Sequence, residues 1–304
     1  MKQGKSQRAV ANGFSLVELL IAMAMGLVLI AAILSIYLGS SIAGHQSDTV
    51  SRMSEDASIA LETMARHIRM AGYSQLHVMA PRNIASADGQ VVQLNDSNLA
   101  GAGLKGCDGG FLSTTASWDT LTCTNTPKQP DDISVRYEGD SFSTDRAGTN
   151  SASDCLSQGL SNNANSAVNT GTPFILVESR FFVSAIHDLS CAGNGSPSFT
   201  AQPLVSGVEF MRLRYGVASD PIETQTIRFA SADEVNQLGG SSDQNWGRVV
   251  AVRICIQLVS PNEDQGKSVP FVDCDGNVKT LSDRYLHRVF STTVSLRNRV
   301  GIAQ

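Results

Sequence analysis

The feature that most constrains this chain is a long apolar run near the N-terminus that contains a single acid. Between Phe14 and Tyr37 the only charged residue is Glu18. About 24 such residues can cross roughly 30 Å of hydrocarbon as a helix, so the run predicts a membrane-spanning helix. An ionised carboxylate near the middle of such a helix costs on the order of 3 kcal/mol, which indicates a partner or a function for Glu18. The alternative is that Glu18 lies shallow enough to reach the membrane interface.

The residues that precede this run predict its orientation. Residues 1–13 contain Lys2, Lys5 and Arg8 and no acid. This asymmetry favours a cytoplasmic leader and a translocated remainder. A secretory signal has an apolar core of roughly 7–15 residues and a small-residue cleavage site, whereas this run is longer and carries an acid.

The junction between leader and apolar run has the sequence GFSLVELL, from Gly13 to Leu20. It resembles the class III signal of type IV prepilins. In that family a prepilin peptidase cuts after the glycine and methylates the new N-terminus, which implies cleavage between Gly13 and Phe14. The resemblance also implies that Glu18 pairs with the N-terminal ammonium of a neighbouring subunit, which gives the acid its partner in the bilayer.

Charge and composition limit what the rest of the chain can do. Removal of the leader takes three of the 23 basic residues and leaves all 28 acids, which changes the net charge from −5 to −8. That balance argues against broad nucleic-acid binding, and we expect no nucleic-acid partner. Only 17% of the residues are charged. Polar loops between strands fit this composition better than a helical enzyme does.

All six cysteines follow the apolar run, on the side of the membrane that the orientation makes oxidising. An even number there favours three disulfides among many possible pairings. We expect sequential pairing, because each sequential pair closes a loop rich in Gly, Asn, Ser or Pro. The expected pairs are Cys107–Cys123, Cys155–Cys191 and Cys255–Cys274. Metal binding is the alternative, but the chain has no Cys-x-x-Cys pair and its five histidines are scattered, so we expect no metal.

The apolar run continues into an amphipathic segment without an obvious break. Its apolar residues recur at three- and four-residue intervals and line one helical face. They are Val50, Met53, Ala57, Ala60, Leu61, Met64 and Ile68. Gly72 follows three basic residues, a pattern typical of a helix end. We therefore expect one helix from Phe14 to about Ala71, with a membrane half at 14–37 and an amphipathic half at 38–71. A coiled coil or a membrane-surface helix is the alternative for the second half.

Strand patterns dominate the rest of the chain, which we expect to be a periplasmic or extracellular β-rich domain at 72–304. The strands predicted from alternation and turn signals are Ile133–Tyr137, Pro173–Ile186, Gly207–Val217, Thr226–Ala230, Arg248–Val259 and Arg288–Arg297, with a weaker one at Val91–Val92. In the segment 248–259 the apolar residues at even positions share one face. The predicted fold class is α+β and type IV pilin-like: a long helix packed on an antiparallel sheet with disulfide-tied loops.

Several ordered motifs resemble the PilW family of type IV pilus minor pilins. They are Asp154–Leu156, Leu189–Cys191, Gln202–Glu209, Arg214–Val217, Trp246–Ile254 and Val289–Asn298. The resemblance implies a low-abundance subunit of the tip and priming complex, with roles in pilus assembly, adhesion and twitching motility. The implied partners are other minor pilins, the major pilin, a PilY-type tip adhesin, the prepilin peptidase and the inner membrane. The implied location is the bacterial inner membrane, with a periplasmic ectodomain, before assembly, and the tip of the cell-surface pilus after assembly.

Two other functions share this N-terminal chemistry. One is a J-type minor pseudopilin of a type II secretion system. The other is a membrane-anchored periplasmic binding module or enzyme that kept a pilin-like anchor.

The remaining motifs favour structural roles, and we expect neither an enzyme nor a cofactor. Gly101–Gly106 matches G-x-G-x-x-G, but the following Cys-Asp-Gly-Gly does not suit the helix that a dinucleotide site needs. Asp273–Asn277 is similar to part of a calcium loop, yet a hairpin turn is expected there. His187 and His287 lie at predicted strand ends, where a surface position is expected.

Overall fold

The computed structural model describes most of the chain from Ser15 onward. The described residues are 15–74, 76–77, 96–97, 102–124, 126, 128–139, 152–160, 165–166, 173–196, 198–219, 225–263 and 269–298. The chain divides into two compact units, one up to Ser51 and one from Arg52. The predicted strand at Val91–Val92 and the position Gly13–Phe14 lie outside the described residues.

A single helix, α1 (Leu16–Met70), begins in the first unit and ends in the second. Its buried side chains begin at Met53 and recur along one face to Ile68. The helix ends where the sequence predicts, because Gly72 adopts a left-handed φ of 73° that suits glycine. The Gly72 N–H donates to the carbonyl of Arg136 at 3.0 Å. This contact anchors the end of α1 to the β-sheet.

Fourteen strands, two short α-helices and one 3-10 helix (Trp118–Thr120) follow α1 among the described residues. The strands are β1 (Leu76–His77), β2 (Asp96–Ser97), β3 (Leu104–Cys107), β4 (Asp132–Gly139), β5 (Asn165–Ser166), β6 (Pro173–Val183), β7 (Asp188–Gly193), β8 (Ala201–Ser206), β9 (Val208–Val217), β10 (Arg228–Ala230), β11 (Val249–Val259), β12 (Phe271–Val272), β13 (Val278–Lys279) and β14 (His287–Ser295). The helices α2 (Ala232–Asn236) and α3 (Ser242–Trp246) each begin with a serine capping box.

The strands form two main antiparallel sheets. The large sheet has the order β3-β4-β6-β7-β8, with β5 paired to β6. The small sheet has the order β10-β9-β11-β14. Two short ribbons, β1-β2 and β12-β13, complete the described strands.

One core joins the second part of α1 to the inner faces of both sheets. The five even-numbered apolar residues of β11, from Val250 to Leu258, are all buried, as the alternation predicted, but Val249, Ala251 and Cys255 on the other face are buried as well. Two residues of the large sheet, Tyr137 and Phe181, contact His67 of α1. The Tyr137 hydroxyl lies 3.0 Å from His67 Nδ1. Burial lowers the pKa of His67 to about 4, so the ring is neutral at neutral pH. The predicted α+β fold, a long N-terminal helix packed on antiparallel sheet, is confirmed.

Six predicted strands correspond to β4, β6, β9, β10, β11 and β14, with ends shifted by a few residues. The sequence did not indicate β3 or the β7-β8 hairpin as strands. Glycine and cysteine occupy half of β3 (Leu104–Cys107), and Pro203 lies within the edge strand β8. These residue types weaken the alternation on which strand prediction depends.

Candidate functional site

Helix α1 begins with a reciprocal hydrogen-bonded cap at Ser15 and Glu18. The Glu18 N–H donates to Ser15 Oγ at 3.2 Å, and the Ser15 N–H donates to Glu18 Oε2 at 3.2 Å. This is a capping box, in which two backbone donors of the first helical turn find side-chain acceptors. The cap holds the Glu18 carboxylate at the start of the helix and leaves its second oxygen able to accept further hydrogen bonds.

The first part of α1 exposes apolar side chains on all sides. Within the first unit, Leu16, Leu27 and Ile36 are exposed by 76%, 69% and 72%. Glu18 is the only charged residue from Ser15 to Gly44. Of the helices that the structure describes, α1 alone is long and apolar enough to cross a membrane. An apolar surface of this size requires either lipid or protein neighbours.

The predicted cleavage residues Gly13 and Phe14 lie just before the described chain. The structure therefore places Glu18 but not the two residues between which the cut is expected. The six cysteines lie in the second unit, away from these N-terminal residues in sequence, and have a different role.

The first disulfide, Cys107–Cys123, closes a loop at the end of β3, with its Cα atoms 5.3 Å apart. Two adjacent acids at the start of β4 hold this loop. Asp131 Oδ1 accepts from the Gly109 N–H at 3.2 Å, and Asp132 Oδ2 accepts from the Phe111 N–H at 2.7 Å. Burial raises the pKa of Asp132 to about 7 and that of Asp131 to about 6. The loop is thus fixed by a covalent bond and by buried carboxylates.

This loop covers the outer face of the large sheet. Arg180 of β6 is completely buried beneath it and donates from Nε to Glu178 Oε1 at 2.8 Å and from Nη1 to the Thr114 carbonyl at 2.5 Å. The Trp118 ring lies over the Arg136 guanidinium at 4.2 Å. Buried cations require such partners, because an unpaired charge away from water is costly.

The second disulfide, Cys155–Cys191, connects the loop after the β4 region to β7, with Cα atoms 6.5 Å apart. Asp154 orders this loop. Its Oδ1 accepts from the N–H groups of Leu156 and Gln158 at 2.9 and 3.0 Å, and its Oδ2 accepts from the Gly195 N–H at 2.8 Å. The Asp154–Leu156 motif therefore has a structural role.

The third disulfide, Cys255–Cys274, fixes the β12-β13 hairpin to β11, with Cα atoms 5.7 Å apart. Asp273–Asn277 forms the turn of this hairpin, as expected, and Asp273 Oδ1 accepts from the Asn277 N–H at 2.8 Å. Asp275, in the same turn, accepts from Arg212 Nε at 3.0 Å. The three disulfides join the sequential pairs expected from the sequence.

The expected surface position of His287 is wrong. His287 is buried, with Nδ1 3.0 Å from Glu209 Oε2 and Nε2 3.1 Å from Asp283 Oδ1. Its ring stacks on Phe271 of the β12-β13 hairpin at 5.1 Å. The hairpin covers the start of β14, a tertiary contact that the local sequence does not reveal. His187, in contrast, is exposed in a turn, with a φ of 60°.

The glycine-rich match does not form a nucleotide site. Its second half lies in β3, which pairs with β4 in an antiparallel sheet, whereas a dinucleotide site needs a parallel βαβ unit. A side chain at Gly106 would lie 1.9 Å from the Tyr215 hydroxyl, so this glycine allows close packing.

Comparison with known proteins agrees with these features. Residues 178–298 match the family described as type IV pilus-assembly protein W, and residues 8–34 match the prokaryotic N-terminal methylation motif. No curated protein matches the chain. Among solved structures, a type IV-like pilin from Thermus thermophilus is similar at 12% identity and a TM-score of 0.40, over 82% of this chain and 98% of that one.

The two family matches occupy separate parts of the chain, which correspond to the start of α1 and to the strands from β6 to β14. The first match contains the Ser15–Glu18 cap and part of the exposed apolar helix. The second contains Cys191 of the second disulfide and both cysteines of the third. The chain therefore carries a PilW-family domain behind a prokaryotic N-terminal methylation motif, and together these matches support a PilW-type minor pilin.

Proposed function

We propose that this minor pilin joins the priming complex at the tip of a type IV pilus and promotes pilus assembly, on which adhesion and motility depend. The observation that carries the proposal is Glu18, the only acid in the exposed apolar part of α1 (residues 16–44), held at the helix start by Ser15. Before assembly, the segment 14–37 holds the subunit in the inner membrane with its β domain in the periplasm. In the fibre, the same apolar surface packs on neighbouring helices.

The proposed step at Glu18 is an intersubunit ion pair. Cleavage after Gly13 gives Phe14 a free N-terminal ammonium, and methylation leaves that nitrogen cationic. The ammonium of one subunit then pairs with Glu18 of its neighbour. One Glu18 oxygen stays on the Ser15 N–H and the other accepts from the ammonium. Since two charges in an apolar setting are costly unless paired, this contact fixes the axial register of the helices.

The β domain supplies the contacts that differ between subunits. Its disulfide-tied loops and open sheet surface are presented to other minor pilins, to the major pilin or to a PilY-type adhesin. Rigid loops suit this role because little conformational entropy is lost when they bind.

The experiment separates the ion pair from the helix cap. Glu18→Gln keeps a side-chain oxygen that can cap Ser15 but removes the negative charge. Ser15→Ala removes the hydroxyl of the cap but keeps the charge. Each variant replaces the natural chain in the native bacterium, and pili are counted by electron microscopy. N-terminal mass spectrometry of the membrane fraction verifies that each chain is processed.

We expect the Glu18→Gln chain to be processed and membrane-bound while the number of pili falls severalfold. The Ser15→Ala chain is expected to support nearly normal piliation. Normal pilus numbers with a processed Glu18→Gln chain would refute the proposed role of this carboxylate.

A further inference from the structure

The outer face of the small sheet carries a row of polar side chains across three strands. Arg214 of β9 lies directly opposite Arg253 of β11, and Arg253 lies directly opposite Thr293 of β14. The next positions along β14 on this face are Ser291 and Ser295. Arg253 and the three β14 residues are exposed. The row thus combines two guanidinium groups with a line of hydroxyl groups.

Two like charges directly opposite each other on adjacent strands destabilise a sheet. Arg214 is partly compensated, because its Nη2 lies 3.5 Å from Asp275 Oδ1. Arg253 instead lies over the Phe229 ring at 4.1 Å, and it forms no ion pair with any residue that the structure describes. Among the described residues the Phe229 ring thus supports Arg253, but no carboxylate pairs with it.

Arg212, on the same face of β9, is in contrast mostly buried and paired within the domain. Its side chain is only 13% exposed and pairs with the buried Asp131 at 2.7 Å and with Asp275 at 3.0 Å. The Arg214 side chain is 36% exposed. Arg212 is engaged within the domain, whereas Arg253 presents its donors to solvent.

The chemistry of this surface fits a carboxylate of a protein partner. Arginine binds a carboxylate through two parallel hydrogen bonds, and serine and threonine hydroxyls can donate further ones. The half-buried Phe229 beneath Arg253 adds an aromatic surface, and arginine with aromatic residues is typical of the centres of protein interfaces. A nucleic acid is disfavoured, because its binding needs an extended line of cations and the chain as a whole is acidic.

We propose that this arginine–hydroxyl face, formed by Arg214, Arg253, Ser291 and Thr293 and bordered by Ser295, docks an acidic segment of another pilin-type subunit. One Asp or Glu side chain of that subunit lies between the two guanidinium groups and removes their mutual repulsion. The hydroxyl groups of β14 form the polar rim of the contact and can donate hydrogen bonds to the partner. This inference rests on the proposed function, which supplies the neighbouring subunits.

The test is site-specific photocrosslinking of the full-length chain in the native bacterium. A benzophenone amino acid replaces Ser295, on the same face as Arg253, in chains with Arg253 unchanged or substituted. The substitutions are Arg253→Glu and Arg253→Lys. The matched control is Arg288→Glu, an exposed arginine of β14 opposite Leu258, on the other face of the sheet.

With Arg253 unchanged, we expect a crosslink to a different prepilin-type subunit, and the crosslinked peptide contains Asp or Glu. Arg253→Glu lowers its yield at least about tenfold, because it places two carboxylates together. Arg253→Lys gives an intermediate yield, since lysine lacks the forked donors. Arg288→Glu leaves the yield unchanged. Exchange of the partner acid for arginine restores the crosslink to the Arg253→Glu chain.

An undiminished crosslink in the Arg253→Glu chain overturns the proposal. So does a crosslinked peptide without Asp or Glu, a crosslink only to a second copy of this chain, or one only to DNA. Pilus counts for Glu18→Gln, made in the same strain, keep the two proposals apart. If Glu18→Gln reduces piliation but the crosslink does not depend on Arg253, the docking face alone is overturned. If Glu18→Gln leaves piliation normal, the proposed function is overturned.

Discussion

The outer faces of the two sheets both carry arginines, but Arg180 of the large sheet is covered by a loop whereas Arg253 of the small sheet is exposed. On the large sheet, Arg180 is fully buried with Glu178 beneath the loop that Cys107–Cys123 closes. On the small sheet, Arg253 is exposed and lies on Phe229. A buried arginine is bound by the fold itself, whereas an exposed and unpaired one remains available to a partner. The comparison predicts opposite effects of substitution on stability and on binding.

The largest expected effect is on the covered face. Arg180→Ala removes the cation that is hydrogen-bonded to the buried Glu178, and removal of one member of a buried pair costs about 3–5 kcal/mol. Urea unfolding of the full-length chain in detergent measures this loss. The control is Arg228→Ala, because Arg228 forms an exposed pair with Glu234 at 3.7 Å and its loss costs less than about 1 kcal/mol. Equal losses for the two variants would remove the distinction between covered and open arginines.

A second prediction concerns the inner face of the large sheet. The pKa of His67 is about 4 in the folded chain and 6.5 for the unperturbed group, so the unfolded chain binds the proton first as the pH falls. The His67 contribution to stability is therefore complete above pH 6.5 and declines by roughly 3 kcal/mol between pH 6.5 and 4. Unfolding free energies across this range measure the slope. His67→Gln keeps a polar group beside Tyr137 and is expected to flatten it.

Substitution of Asp132 tests a pH dependence of opposite sign, in the loop that covers the large sheet. Its pKa is raised from 3.8 to about 7, so the stability it contributes is complete below pH 4 and is lost as the pH rises through 7. Asp132→Asn keeps an oxygen for the Phe111 N–H and stabilises the chain at pH 8 by on the order of 1–2 kcal/mol. Below pH 4 the same substitution changes little. A loss of stability at pH 8 would contradict this account of the loop.

The smallest change in stability is expected on the open face. Arg253→Glu replaces a like-charge pair with an Arg214–Glu pair, so stability stays unchanged or rises by less than about 1 kcal/mol. Thermal unfolding by circular dichroism measures this. A clear destabilisation would mean that Arg253 stabilises the fold as Arg180 does. The contrast between the two sheets would then not hold.

The sequence predicted those parts of the fold that depend on local patterns. Side-chain periodicity is enough to predict the buried face of α1 and the alternation in β11. The conformation of glycine is enough to predict the end of α1 at Gly72. The sequential disulfides also follow local order along the chain. In the candidate site, Glu18 was identified because it is the one charge in a long apolar run and lies in the prepilin-like sequence Gly13–Leu20. Its cap was visible in the sequence as Ser15 followed three residues later by an acid.

The rest depends on register and on loops that are distant in sequence. The burial of Arg180 comes from a loop 66 residues earlier, and that of His287 comes from the β12-β13 hairpin. The Arg214–Arg253 pair requires the register of β9 against β11, which the alternation of either strand does not set. The two-residue spacing of Arg212 and Arg214 indicates only that both lie on one face of a strand. It does not indicate which residue of the neighbouring strand lies opposite Arg214.

The positions of the disulfides have a mechanical consequence. Every cysteine lies at or beyond residue 107, and all six are engaged with one another, so no covalent crosslink connects α1 to either sheet. A pulling force that enters the domain through α1 is carried instead by side-chain packing from Met53 onward and by polar contacts such as Asn298 Nδ2 to the Arg69 carbonyl at 3.3 Å. Under tension, the helix is expected to detach before the disulfide-closed loops lose their shape.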